Sequence, residues 1–199
     1  MLSACRDLAA VSRMLFQRDL TELNGGNLSM RSGRWIIATP TYAAEYYHWD
    51  LSPGRFIIFD SKFRLVRGRE DAQSRDTELH RLIYAHNPRV GSIIHLHTDI
   101  MITMPSYTGD GYLRALLEKN GIALHTYEQD IKKATREEQY RFNDEIIAKA
   151  DKRRTNIIVL PRHGILAVSE TIFKNYRDID IIASGIRHLI IKRTLGRIP

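Results

Sequence analysis

The segment Gly91-Ser92-Ile93-Ile94-His95-Leu96-His97 constrains this chain most, because apolar residues fill both parities of a β-type run. Side chains alternate between the two faces of a strand, so Ile93 and Ile94 cannot both be covered from one side. A strand of this kind belongs inside a sheet with other layers packed on it. Asn156-Ile157-Ile158-Val159-Leu160 and Ile165-Leu166-Ala167-Val168 read the same way, around a Pro161-Arg162-His163-Gly164 turn.

The remaining elements follow from periodicity. Leu8, Val11, Leu15 and Phe16 form a helical stripe over residues 4–19. The turn at Glu22–Asn27, rich in glycine and asparagine, leads into short β-type runs at 28–31, 35–38, 56–59 and 63–66, with an aromatic-rich loop from Pro40 to Pro53. A helix is predicted from Asp76 to the stop at Asn87-Pro88, and a short one around Leu113, Leu116 and Leu117, ending near Gly121. Ile122-Ala123-Leu124 reads as a strand. Thr135 with Glu138 has capping-box spacing and opens a helix to about Lys152. A final helix is predicted from about Glu170 to Thr194. Early strands followed by helices between buried strands predict a layered α/β domain with a mixed sheet.

With 199 residues and 43% hydrophobic content, the chain suits one domain over residues 1–199. No apolar run approaches the ~20 residues of a membrane span. The first segment is interrupted by Asp7, Arg13, Arg18 and Asp19, unlike a secretory signal. The single cysteine, Cys5, allows no intramolecular disulfide and sits where a small core residue is expected, which fits a cytoplasmic setting. The net charge of +7 invites an anionic partner. The basic residues are dispersed, at Lys132-Lys133, Lys152-Arg153-Arg154, Arg187, Lys192, Arg193 and Arg197, with no nucleic-acid motif and no interleaved aromatics. A small anionic substrate is therefore expected, with neither nucleic acid nor membrane as partner.

Three histidines carry the candidate chemistry. His95 and His97 are two residues apart on a strand, so both project to one face, roughly 6.5–7 Å apart along the backbone. Two such imidazoles can share a metal ion, although a His-x-His pair is equally compatible with two satisfied histidines. His163 likewise follows a buried strand, with Gly164 permitting a sharp turn. Strand ends in α/β sheets are where ligands gather, and three neutral histidines leave a coordination position open, as a catalytic ion requires. Asp76 opens a helix, where an acidic residue serves as a cap or as a general acid/base beside a metal. His80, one turn on, is expected to be a surface or packing residue. His48, His86, His125 and His188 show no partner pattern. Gly25-Gly26-Asn27 reads as a hairpin turn or as a backbone cradle for phosphate.

Taken in order, Gly25-Gly26-Asn27-Leu28-Ser29, Thr39-Pro40-Thr41, Ser74-Arg75-Asp76 with the step to His80, Ile94-His95-Leu96-His97-Thr98 and Arg162-His163-Gly164-Ile165-Leu166-Ala167-Val168 resemble the class II aldolase/adducin family. The resemblance covers nearly the whole chain. It implies a three-layer α/β/α fold around a mixed, largely antiparallel sheet, assembled as a homotetramer with sites between subunits. It also implies a divalent metal on His95, His97 and His163, zinc first, with manganese or cobalt as alternatives. The implied reaction is retro-aldol C–C cleavage of a sugar phosphate through a metal-bound enediolate. Asp76 matches the acid/base carboxylate, and Tyr127 lies near a tyrosine that reaches a neighbouring subunit's site. Gly26, Asn27, Thr41, Tyr42, Ser74 and Arg75 match the anion-binding positions.

Three positions depart from the aldolase pattern. Aldolases of the family usually carry glutamate where this chain has Asp76; the sugar-phosphate 4-epimerases carry aspartate. Tyr42 stands where glycine is common, and Arg75 where serine is common. Arg75 offers a planar cation suited to phosphate or carboxylate. The expected function is a metal-dependent lyase acting on a small anionic hydroxylated carbonyl compound. Epimerisation, dehydration or decarboxylation on the same site is the alternative. An adducin-like scaffold is a further one, against which the complete histidine set speaks.

Overall fold

The computed structural model describes residues 1–23, 25–126, 136–150 and 154–196. Helix α1 (Leu2–Gln17) precedes the hairpin β1 (Asn27–Ser32) and β2 (Trp35–Ala38). A short helix α2 (Ala43–Tyr47) leads to β3 (Ile57–Asp60) and β4 (Leu65–Arg67). Then come α3 (Thr77–His86), β5 (Ser92–Leu96), α4 (Asp99–Thr103), α5 (Gly111–Lys119) and β6 (Ile122–Thr126). The chain finishes with α6 (Arg136–Ala150), β7 (Thr155–Leu160), β8 (Gly164–Ser169) and α7 (Ile172–Leu195).

The strands form one sheet in the order β4-β3-β2-β1-β5-β8-β7-β6. Among the described residues only the β6–β7 pair is parallel; the others are antiparallel, so the sheet is mixed and largely antiparallel, as expected. Strand β5 lies between β1 and β8 and is buried at every residue. On one face Ile94 and Leu96 pack with Leu8 and Leu15 of α1, Leu113 and Leu117 of α5, and Ile179, Ile182 and Ile186 of α7. On the other, Ile93 packs with Ile83 and Tyr84 of α3, Ile146 and Ala150 of α6, Ile158, Leu166 and Val168. Two apolar layers of helices thus enclose the sheet, which is why β5 carries no polar alternation before His95. No described helix is long and apolar enough to cross a membrane.

Departures from the sequence reading have local causes. The loop expected from Pro40 to Pro53 contains α2, bracketed by left-handed Tyr42 and His48 and held by the buried Ala43 and Ala44. The strand expected from Phe63 starts only at Leu65. The Asp60 carboxylate accepts from Lys62 N (2.8 Å) and Arg64 N (3.0 Å), which tightens the turn and leaves Phe63 at φ 57°. In α7 the apolar stripe is interrupted by the fully buried Asn175 and Asp178. Asp178 takes an ion pair from Lys174 (2.9 Å) and one from Arg177 (2.6 Å), together with a hydrogen bond from Thr155. Ile190, farther along the same helix, is exposed. Thr135, half of the expected capping box, lies outside the described residues.

Because Ile94 is fully buried in the central strand, Ile94→Ala should destabilise the fold by about 2–5 kcal/mol. Urea unfolding of the two proteins measures that difference.

Candidate metal centre and active site

The β5 end, the β7–β8 turn and the start of α3 meet on the α3 side of the sheet. Asn27 of β1 is in register with His95, and Ser29 with Ile93, so the four side chains share one face. His163 sits in the tight connection between β7 and β8, its N–H bonded to Leu160 O at 3.0 Å. Gly164 has φ 125°, and a Cβ there would lie 1.9 Å from Leu96 O. Only a residue without a side chain lets β8 run this close to the end of β5.

The three rings converge. His95 Nε2 lies 2.7 Å from His97 Nε2 and 3.2 Å from His163 Nε2. One nitrogen from each residue falls within 4.8 Å of the others. His95 is buried, whereas His97 and His163 are half-buried. His95 Nδ1 is 2.8 Å from the Ile165 carbonyl oxygen. A carbonyl only accepts, so Nδ1 carries the proton and the neutral ring turns a bare Nε2 lone pair toward the other two imidazoles. A lone pair directed this way can bind a cation, and the 3.2 Å separation approaches the roughly 3.3 Å between nitrogens sharing a tetrahedral ion. The three residues fit a divalent metal.

The glycine turn is shaped by these rings. Gly25 has φ 130°, and a Cβ there would sit 2.6 Å from His97 Nδ1; at Gly26 (φ 90°) it would sit 2.8 Å from His95 O. The turn therefore makes room for the histidine pair, a role beyond the hairpin or phosphate cradle expected of it.

Asp76 is the N-cap residue of α3, yet its side chain makes no capping bond. Its Oδ2 instead accepts from Asn27 Nδ2 at 2.6 Å and lies 4.0 Å from His95 Nε2, with the side chain 40% exposed. Burial opposes ionisation of the carboxyl, but the imidazoles of His95 and His80, the Asn27 amide and His163 outweigh it and hold the acid below its ordinary range. Asn27 Nδ2 also reaches Ser74 Oγ at 3.2 Å, and Ser74 Oγ accepts from Asp76 N at 3.3 Å. Thr41 N donates to Ala72 O at 2.7 Å, tying the loop after β2 to the loop before Asp76. Tyr42 holds φ 57°, the left-handed conformation natural to glycine; the residue is 59% exposed and its ring packs on Tyr46. Its bulk is accommodated by exposure while the backbone keeps a glycine-like bend. Arg75 is exposed and has no charge partner among the described residues. Tyr127 lies outside the described residues.

Thus Asp76, His95, His97, His163, Asn27 and Ser74 form one cluster, with Gly26 behind His95 and Thr41 linked through backbone. His80 is buried, as a packing residue would be, but with polar partners: Nδ1 is 2.9 Å from Ser29 Oγ, which is 3.0 Å from Tyr84 OH. The four-residue spacing Asp76, His80, Tyr84 was the signal available for this chain, since it aligns three polar side chains on one helix face. Burial pushes the Tyr84 hydroxyl above the usual phenol range. Of the other histidines, His86 bonds its own helix, His125 bonds Asn156 and His188 meets Tyr112.

A profile of the family described as class II aldolase and adducin N-terminal domain matches residues 6–187. The chain belongs to that family. It is 21% identical to an L-fuculose phosphate aldolase of Methanocaldococcus jannaschii over 173 residues, covering 86% of this chain and 87% of the relative. The YgbL structure from Escherichia coli superposes with a TM-score of 0.74 at 20% identity, covering 100% of this chain and 92% of that one. A sugar-phosphate aldolase structure from Thermotoga maritima gives a TM-score of 0.73 at 16% identity, covering 99% and 97%. These structures share the fold of this class II aldolase family member.

Burial lowers His80 from 6.5 to about 4, so its neutral form is favoured in the folded state. Between those values the unfolded chain binds the proton and the folded one does not. The stabilisation is complete above the unfolded pKa and is lost as pH falls toward the folded one. The thermal midpoint should therefore drop from about pH 6.5 to 4, and His80→Gln should flatten that part of the profile.

Proposed function

We propose that this protein is a divalent-metal-dependent lyase of the aldolase type, acting on a small anionic hydroxylated carbonyl compound such as a sugar phosphate. The observation that carries the reading is a partly exposed, ionised carboxylate 4.0 Å from the nitrogen at which three imidazoles converge. An ion held by His95, His97 and His163, zinc first and manganese or cobalt next, would supply Lewis-acid polarisation of a substrate oxygen.

Asp76 moves the proton. Its carboxylate is kept ionised at neutral pH and fixed by Asn27, so it can take a proton from a substrate hydroxyl or carbon beside the triad and return one after the C–C bond breaks. Ser74 and Asn27 buttress this group from the adjoining turn. Gly26, Asn27, Thr41, Tyr42, Ser74 and Arg75 are assigned to the anionic end of the substrate. The Thr41–Ala72 bond supports this by joining the two loops that carry them. Arg75 supplies an exposed guanidinium able to grip phosphate or carboxylate through two parallel bonds. The net charge of +7 favours arrival of such an anion. Tyr127 is assigned to the reaction through the family resemblance, which also supports a single domain over residues 1–199 and a homotetramer with sites between subunits; the single cysteine supports a cytoplasmic setting.

Aspartate rather than glutamate at position 76 supports 4-epimerisation as the second reading. Incubation with L-fuculose 1-phosphate, other phosphosugars and hydroxy-oxo-acids, followed by NMR of the products, distinguishes the two. Cleavage to two carbonyl fragments supports the lyase, and recovery of a stereoisomer alone overturns it.

Metal analysis should find a stoichiometric divalent ion in the wild type and none retained after dialysis of His97→Ala; full retention overturns the site. Asp76→Asn should keep the ion while lowering kcat by about 10²–10⁴-fold. Steady-state kinetics beside metal content reads both effects.

A further inference from the structure

Asp76, His80 and Tyr84 succeed one another at four-residue steps, so one face of α3 presents all three. His80 and Tyr84 are 4% and 2% exposed. Ser29 Oγ sits between them, 2.9 Å from His80 Nδ1 and 3.0 Å from Tyr84 OH. His80 Nε2 is buried and makes no hydrogen bond.

The proton positions in this chain can be deduced. Ser29 has one hydroxyl proton and two neighbours. If His80 Nδ1 donated to Ser29, the proton of either Ser29 or Tyr84 would be left without an acceptor. If Tyr84 donates to Ser29 and Ser29 donates to Nδ1, every hydroxyl proton is bonded. The neutral ring then carries its proton on Nε2. A buried N–H without an acceptor is costly. The carboxylate of Asp76, one turn earlier on the same helix face, is the acid whose charge acts on the His80 ring.

We propose that His80 is a positioning residue for Asp76. Its Nε2–H donates to the carboxylate, directly or through one water, and so orients the oxygen that faces the histidine triad. Tyr84 and Ser29 act behind it by fixing the tautomer. The catalytic meaning rests on the proposed role of Asp76; the tautomer and the bond do not.

The test begins with full-length protein labelled with ¹⁵N in histidine. The His80 resonances should show a neutral ring protonated at Nε2, and that proton should shift upfield and exchange faster in Asp76→Ala. A proton on Nδ1, or an Nε2–H signal indifferent to Asp76→Ala, overturns the proposal. Kinetics supply the second arm, with L-fuculose 1-phosphate as the probe. The amide nitrogen of His80→Gln reaches the place of Nε2, whereas that of His80→Asn reaches only the place of Nδ1. His80→Gln should keep kcat within about 5-fold, and His80→Asn should lose about 100-fold with KM little changed. Equal losses in both variants, or losses that track the thermal midpoint, mark a structural role and overturn it. A wild type inactive on this probe counts against the aldolase reading alone, because the NMR arm decides the bond without turnover.

Discussion

Strand β5 has neighbours hydrogen-bonded on both edges and apolar helices on both faces, and that enclosure governs everything around it. A strand with no solvent side has a fixed register, since a slip of one residue would exchange Ile94 and Leu96 for Ile93 and His95. Its end is therefore a rigid platform. His95 leaves the core at a defined height, and His97 follows two residues later on the same face. The turn carrying His163 is held against the same end by the closeness of Gly164 to Leu96 O. Side chains 68 residues apart in sequence thus meet through backbone geometry, with few adjustable contacts.

Electrostatics then divides the site into complementary halves. The imidazoles turn nitrogens toward a common point, and the Asp76 carboxylate stands beside them with one oxygen held by Asn27. Each half favours the other: the carboxylate favours a cation where the nitrogens converge, and the imidazoles favour its ionised form. Behind Asp76 the buried His80 stays neutral, so it contributes a dipole and leaves the net charge unchanged.

Much of this was legible in the sequence, for physical reasons. Period-two placement gave His95 and His97 a common face, and the Pro161–Gly164 turn put His163 at a strand end. The polar start of α3 marked Asp76. The unread parts depend on contacts between distant segments. That Gly25 and Gly26 make space for imidazole rings requires knowing which strand end faces the turn. The polar chain from Tyr84 to His80 needs Ser29 from another strand, so α3 alone suggested only a surface or packing residue. The buried Asp178 in α7 was hidden because its partners include Thr155 on β7. The turn before β4 was masked by the apolar character of Phe63, whose backbone obeys Asp60 instead.

The partner of His95 Nδ1 is a main-chain carbonyl, that of Ile165. Every amino acid supplies that oxygen, so the orientation of His95 is insulated from drift in the identity of residue 165 as long as β8 keeps its register with β5. The ring's tautomer is thereby inherited from the architecture of the sheet. The three histidine side chains can be lost one mutation at a time, but the group that aims the central one has no codon of its own.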